Sequence, residues 1–300
     1  MLPLFHVAVL LTGQAGLALM GGGPDLNDAF RFLVDRAAGG NFVILRASGD
    51  DSYNAYVQGL GKLAPVETLV AGDRASASDP AIVNKVRHAQ ALFIAGGDQW
   101  NYVKFWKDTP LAAAIQELAD RGTPIGGTSA GLAIMGQFYF SAEFDSALSP
   151  ESLADPYDRR IRLGRDFLKL SHMRGTITDS HFVKRDRLGR TVAFLARILQ
   201  EKWADPALGM GVDESAAVLM DGAGMATVVG KGAVYFFKAT GLPGKCEPGV
   251  PLTLENIQVY RAPPGGTFDL AHWRGTGGTA YTISAVAGRL RSTQAGGSVY

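Results

Sequence analysis

Pro124-Ile125-Gly126-Gly127-Thr128-Ser129-Ala130-Gly131-Leu132-Ala133-Ile134-Met135 is the stretch on which the reading of this chain turns. A short apolar run ends in Gly-x-Ser-x-Gly and passes into small residues, the setting of a nucleophile elbow. A sharp strand-to-helix turn strains the central serine, so only residues without bulk fit two positions to either side; Gly127 and Gly131 leave that room. The turn would raise the Ser129 hydroxyl above a sheet edge. The amides that follow it, beginning with Ala130, would donate to a developing oxyanion. Ser129 is therefore the candidate nucleophile, with a tight packing turn as the structural alternative.

Working outward, the pattern before the elbow alternates. Leu17 to Met20 reads as a short apolar strand running into Gly21-Gly22-Gly23, and Ala29, Phe30, Leu33, Val34 and Ala37 then recur at helical spacing. Strands over Phe42 to Leu45, Val66 to Val70, Ala91 to Ala95 and Thr123 to Gly126 alternate with helices over Tyr53 to Leu63, Asp79 to Ala89 and Pro110 to Ala119. Strands that are apolar on both faces predict a parallel sheet covered by helices on each side, with ligands beyond the carboxyl ends of its strands. The triple glycine is a poor phosphate loop, since neither Gly-x-Gly-x-x-Gly nor Gly-Lys-Ser/Thr follows, and a close backbone approach to a peptide substrate is the reading preferred. From Ser141 to Arg174 periodicity fades into a long irregular excursion. Beyond it, Gly175 to Thr178 reads as a strand, Arg185 to Gln200 as a charged helix, and Gly209 to Val212, Ala216 to Met220, Met225 to Val229 and Val234 to Phe237 as short strands with hairpin turns. Residues 16–240 are expected to form one catalytic α/β domain, and 241–300 a small β-rich extension packed on it.

Composition narrows the classes. The 300 residues are 47% hydrophobic, enough for a sizeable core, and 29 basic against 28 acidic residues give a net charge of +1. No long-range field then points to nucleic acid or to an anionic membrane, and no run is long enough to span a bilayer. A single cysteine, Cys246, excludes an intrachain disulfide and a thiolate metal cluster. Residues 1–15 are apolar and close on Gly13-Gln14-Ala15, small enough for signal cleavage, but lack a basic start. They read either as an export signal or as an added strand, which leaves the compartment between cytoplasm and export.

A serine nucleophile needs a base, and the base an orienting acceptor. Of five histidines, His181 alone directly follows a predicted core strand, in Asp179-Ser180-His181-Phe182. Asp179, Asp213 and Glu214 all stand at strand ends and remain open as its acceptor. The order serine, histidine, acid differs from that of α/β-hydrolases. Gly96-Gly97-Asp98-Gln99 closes another predicted strand: Gly97 could give the second oxyanion donor and Gln99 an amide to substrate, or Asp98 could simply cap a helix. Arg187 and Arg190, three apart on the helix expected after the base, could grip a carboxylate.

Taken in order, Gly21-Gly22-Gly23, Phe93-Ile94-Ala95-Gly96-Gly97-Asp98-Gln99, Gly127-Thr128-Ser129-Ala130-Gly131, Asp179-Ser180-His181-Phe182 with Arg187-Leu188-Gly189-Arg190, and Gly211-Val212-Asp213-Glu214 resemble the cyanophycinase-type serine peptidases, the family that also holds dipeptidase E. The resemblance covers about Leu17 to Phe237. It implies a doubly wound, mostly parallel sheet of flavodoxin-like or class I glutamine-amidotransferase-like type and a Ser129-His181-Glu214 triad. Gly97 and Ala130 would form the oxyanion hole. Gln99, Arg187 and Arg190 would hold the aspartate part of a β-aspartyl-arginine unit, with Asp98, Asp179 and Ser180 assigned to substrate binding beside them. Ser180 stands where the family commonly has glutamine, and Leu132 where it commonly has alanine.

The activity so implied is exopeptidase cleavage of cyanophycin to β-Asp-Arg dipeptides. It needs no metal or organic cofactor, and a homodimer is the expected assembly. An aspartyl or isoaspartyl dipeptidase is the enzyme alternative, and a silent binding protein of the same fold the non-enzyme one. A glutamine amidotransferase would carry cysteine where Ser129 stands.

Overall fold

The computed structural model describes residues 15–300. The expected export signal over residues 1–15 therefore lies, apart from Ala15, outside the described residues. The chain runs β1 (Gly16–Met20), α1 (Asn27–Arg36), β2 (Phe42–Arg46), α2 (Tyr53–Gln58), β3 (Val66–Val70), α3 (Pro80–Arg87), β4 (Ala91–Ile94), α4 (Gln99–Trp106), α5 (Pro110–Asp120), β5 (Ile125–Thr128) and α6 (Ala130–Ala133). It continues through β6 (Phe138–Phe140), α7 (Ser149–Ala154), β7 (Leu163–Arg165), β8 (Thr176–Asp179), α8 (Leu188–Gln200), β9 (Ala207–Val212), β10 (Ala216–Asp221), β11 (Met225–Gly230) and β12 (Val234–Ala239). β13 (Leu254–Ala262), β14 (Thr267–Asp269), β15 (Arg274–Thr276), β16 (Thr279–Val286) and β17 (Arg289–Ser292) complete it.

These strands make two mixed sheets. One has nine strands in the order β15-β14-β11-β10-β1-β5-β4-β2-β3, the other eight in the order β17-β16-β13-β12-β9-β8-β6-β7. The core of the first is parallel: β1 pairs β5, β5 pairs β4, β4 pairs β2 and β2 pairs β3, all in the same direction. Its helices begin where the sequence supplies caps. Asp79 accepts from the Ala81 amide at 2.8 Å with Pro80 as first helical residue, and Thr109 with Pro110 does the same for α5. On one face of this sheet α1 buries Ala29, Phe30, Leu33 and Val34. The other face packs on Val83 and Val86 of α3 and on Leu111, Ile115 and Leu118 of α5. Burying each of these valine, leucine, isoleucine and phenylalanine side chains stabilises the fold by about 1.5–3 kcal/mol.

A single sheet with a β appendage is not what forms. β10 returns antiparallel to β1, whereas β9, which precedes it by only Asp213-Glu214-Ser215, pairs in parallel with β8 in the other sheet. Ser215 turns the chain with a left-handed φ of 56°. Likewise β11 and β12, adjacent in sequence, lie in different sheets. Residues beyond 250 do not form a separate layer: β13, β16 and β17 extend the eight-stranded sheet, and β14 and β15 the nine-stranded one. The 141–174 excursion holds α7 and β7, and β7 edges the second sheet. No described helix is long and apolar enough to cross a membrane.

Candidate active site

The elbow is built by close backbone packing. Ser129 has φ 52° and ψ −112°, a conformation that costs about 1–3 kcal/mol for a residue with a side chain and persists only where its surroundings enforce it. Its amide donates to Met20 O of β1 at 3.1 Å. A Cβ at Gly127 would lie 2.7 Å from Met135 Sδ and 2.8 Å from the Gly131 carbonyl carbon; one at Gly131 would lie 2.1 Å from Ile94 O. Both glycines are thus required for α6 to pass over the ends of β4 and β5, leaving Ser129 half-buried at the sheet edge.

His181 reaches the same edge from β8. Its Nε2 lies 2.8 Å from Ser129 Oγ and its Nδ1 2.6 Å from Glu214 Oε1. An ionised carboxylate only accepts, so Nδ1 carries the proton and Nε2 is left to accept from the serine hydroxyl. Burial pushes the His181 pKa below the ordinary imidazole value; the Glu214 hydrogen bond opposes this, and the charges of Arg185 and Arg187 reinforce it. Glu214 is held below the usual carboxylate range by the hydrogen bond from His181, with Arg185 and Lys184 adding to it. The three acceptors left open by the sequence have separate partners. Asp213 takes the Val183 and Lys184 amides at 3.0 and 3.1 Å, which fixes the loop after the histidine.

The triple glycine serves this line of residues. His181 N donates to Gly21 O at 2.7 Å, and Ser215 N to Gly22 O at 3.0 Å. A Cβ at Gly22, whose φ is 95°, would lie 2.5 Å from His181 Cε1 and Nε2, and one at Gly23 3.2 Å from Glu214 Cβ. The close approach expected toward a peptide is therefore an approach to the imidazole and its carboxylate.

Asp179, buried at 3% exposure, is the hub of a second network. Arg190 grips it through two hydrogen bonds, Nε to Oδ2 at 2.8 Å and Nη2 to Oδ1 at 2.5 Å. Thr191 Oγ1 and the Ser180 amide donate to it at 3.1 and 2.9 Å. Arg187 Nη1 reaches Asp179 at 3.3 Å, Ser180 O at 2.8 Å and Ser180 Oγ at 3.2 Å. Burial opposes ionisation of Asp179, but the two guanidinium charges outweigh it and hold the carboxyl below its usual range. Burial pushes Arg187 down to about 10.

These contacts correct the expectation of an arginine pair open to a substrate carboxylate. Arg190 is 2% exposed, lies over the Phe140 and Phe194 rings, and is occupied by a carboxylate of the protein itself. Arg187 precedes α8 rather than lying within it. Asp179 and Ser180 are likewise turned inward, and their contacts hold the backbone on which His181 stands.

Gly96-Gly97 passes beside Ser129: a Cβ at Gly96 would sit 3.5 Å from Ser129 Cβ. Tyr102, buried in α4, donates through Oη to Ala95 O at 2.8 Å and Gly96 O at 3.0 Å. Because N–H and C=O of a trans peptide point oppositely, drawing Gly96 O toward Tyr102 aims the Gly97 amide away from α4. Neither that amide nor the Ala130 amide is taken by an acceptor among the described residues. Asp98 corrects to a helix cap, accepting from Trp100 N at 2.9 Å, while half-buried Gln99 donates to Phe140 O at 3.4 Å. Sequence reasoning missed Tyr102 and the loop-holding role of Asp213. A tyrosine inside an apolar helical stretch reads as core, and nothing local marks the carbonyls it will hold.

The model of peptidase family S51 matches residues 47–155. Cyanophycinase of Nostoc sp. is 29% identical over 211 residues, 68% of this chain and 65% of the relative. Cyanophycinase of Synechococcus elongatus is 26% identical over 211 residues, covering 60% of that protein. The match thus spans less than two thirds of the length of these relatives. Among solved structures, a peptidase from an acI-B1 actinobacterium superposes with a TM-score of 0.56 at 18% identity, over 79% of this chain and 98% of the other, which shows a shared fold. The chain is thus similar to peptidase family S51 over residues 47–155 and, at under 30% identity, to cyanophycinases over about two thirds of its length.

Proposed function

We propose that this protein is a serine peptidase that acylates Ser129. The observation carrying the proposal is the unbroken hydrogen-bonded line Glu214–His181–Ser129, with distances of 2.6 and 2.8 Å, ending on a strained serine. His181 Nε2 takes the hydroxyl proton as Ser129 Oγ attacks the scissile carbonyl, and the imidazolium formed is stabilised by Glu214. The Gly97 and Ala130 amides donate to the developing oxyanion. His181 then gives its proton to the leaving amine, and the acyl-enzyme is released when the same imidazole deprotonates a water.

For the substrate we propose cyanophycin, cleaved to β-Asp-Arg dipeptides. Support comes from the ordered motifs and the two distant cyanophycinases; with Arg187 and Arg190 tied to Asp179, the half-buried Gln99 is the candidate left to meet the aspartyl part. The test has two arms. A fluorophosphonate probe should label wild type at Ser129 and fail on Ser129→Ala, with labelling greatly slowed in His181→Ala; a folded wild type that never labels would refute the peptidase. Release of β-Asp-Arg from insoluble polymer, compared with hydrolysis of soluble β-Asp-Lys and α-Asp peptides, reads the substrate. Turnover confined to small peptides would replace cyanophycinase with an aspartyl or isoaspartyl dipeptidase.

A further inference from the structure

A cavity of about 480 Å³, within the size range of small-molecule sites, lies between the eight-stranded sheet and the β14–β15 hairpin. Its floor is one face of β12, β13 and β16, on which two cross-strand rows follow each other. Phe236, Tyr260 and Ala280 are in register in the first row, and Lys238, Gln258 and Thr282 in the second. The first row is roofed by the hairpin: Phe268 stacks on Phe236 with centroids 3.7 Å apart, and Trp273 meets both rings edge to face.

The second row is open. The side chains of Lys238, Gln258 and Thr282 line the cavity, and none has a hydrogen-bond or ion-pair partner among the described residues. Arg274 lines it too, with its nearest carboxylate, Asp269, 3.7 Å away and already engaged by His272 at 2.7 Å. Gln258 and Arg274 are exposed and Lys238 and Thr282 half-buried, so the four stand at the open mouth of the cavity. Here an aromatic wall gives way to two cations, an amide and a hydroxyl, all available to one occupant. None of these residues lies in the 47–155 family match or contributes to the site around Ser129.

We infer that this cavity binds a small ring-bearing carboxylic acid. The ring packs against Tyr260 and Trp273, the carboxylate is taken by Lys238 and Arg274, and Gln258 and Thr282 meet the remaining polar groups. Two cations lining one pocket select an anion, and aromatic walls favour a flat partner. An aryl carboxylate and a uronic acid share this chemistry, so the experiment separates them.

Calorimetric titration of the full chain with benzoate and with glucuronate, against benzyl alcohol and methyl glucoside as neutral controls, tests the inference. Binding of at least one acid is expected, weakened tenfold or more in Lys238→Met and in Trp273→Ala, with Ser129 labelling unchanged. Which acid binds identifies the ring. Trp273→Phe, which keeps a packed ring, distinguishes lost stacking from a collapsed hairpin: it should retain most of the affinity. Failure of both acids to bind at 10 mM, equal affinity for the neutral controls, or equal affinity in Lys238→Met would overturn it.

Discussion

Tyr300 and Leu188 are joined by a hydrogen bond across 112 residues: the Leu188 amide, the first of α8, donates to Tyr300 Oη at 3.1 Å. The same hydroxyl donates to Asp186 Oδ1 at 2.8 Å, and the Tyr300 ring packs edge to face on Phe182, the residue after His181. Ser149 Oγ takes the next two amides, Gly189 and Arg190, at 3.0 and 3.3 Å. The orphan N–H groups of α8 are therefore satisfied by distant segments rather than by a local cap.

Tyr300→Phe should accordingly cost about 1 kcal/mol, the net worth of an ordinary hydrogen bond, since the Leu188 amide is part-buried and Asp186 is exposed to water. Urea unfolding measures the loss. The loop from His181 to Leu188 should also exchange its amide hydrogens faster, and a variant as stable and as protected as wild type would show that water replaces the hydroxyl at no cost.

Gly22→Ala places a methyl group 2.5 Å from the His181 ring and asks alanine to hold a φ of 95°. The imidazole must move, and a displacement near 1 Å from productive geometry costs on the order of 100-fold in rate. Fluorophosphonate labelling of Ser129 should slow by that factor, with circular dichroism little changed.

The elbow was legible because its chemistry is local: Gly127, Ser129 and Gly131 must be small or strained in a fixed order whatever surrounds them. The core strands were legible for the same reason, since each apolar run carries its own signature, whereas β6 and β7, three residues each, are too short to carry one. Pairing was not. Val212 and Ala216 look alike in composition, yet the turn at Ser215 sends them to different sheets, and only long-range packing decides this. The arginines misled because Arg187 and Arg190 present the same spacing whether they grip a substrate or Asp179; the carboxylate they hold lies on another element.

Arg190→Met tests that internal pairing. It leaves the buried Asp179 carboxylate with Arg187 as its one remaining cation, and breaking a buried ion pair costs about 3–5 kcal/mol. Asp179 is depressed in the folded wild type. The stability it contributes is therefore present above the unfolded carboxylate value of about 3.9 and lost as pH falls through the folded one. In the variant its folded pKa rises, and protonation relieves the buried charge. The deficit against wild type, measured by urea unfolding, should be largest near pH 7 and shrink toward pH 4. A deficit independent of pH would assign the loss to packing against Phe140 and Phe194.

The pH dependence of the proposed peptidase follows from the charges around His181. Its imidazole must be neutral to accept the Ser129 proton, and burial holds its pKa below the ordinary value of about 6.5, so the acidic limb of kcat/KM should fall below that pH. Arg185 is exposed and pushes in the same direction, disfavouring the imidazolium. Arg185→Gln removes that charge, raises the His181 pKa and should move the acidic limb to higher pH. Because the guanidinium sits in water, the shift should be under about one unit at low ionic strength and should largely vanish in 1 M salt, where the Debye length is about 3 Å. Glu214→Gln should do the opposite, since it removes the charge that favours the imidazolium: the limb moves to lower pH while kcat falls by orders of magnitude as the tautomer is no longer fixed. Limbs that coincide in wild type and both variants would mean that a group other than His181 governs activity in acid.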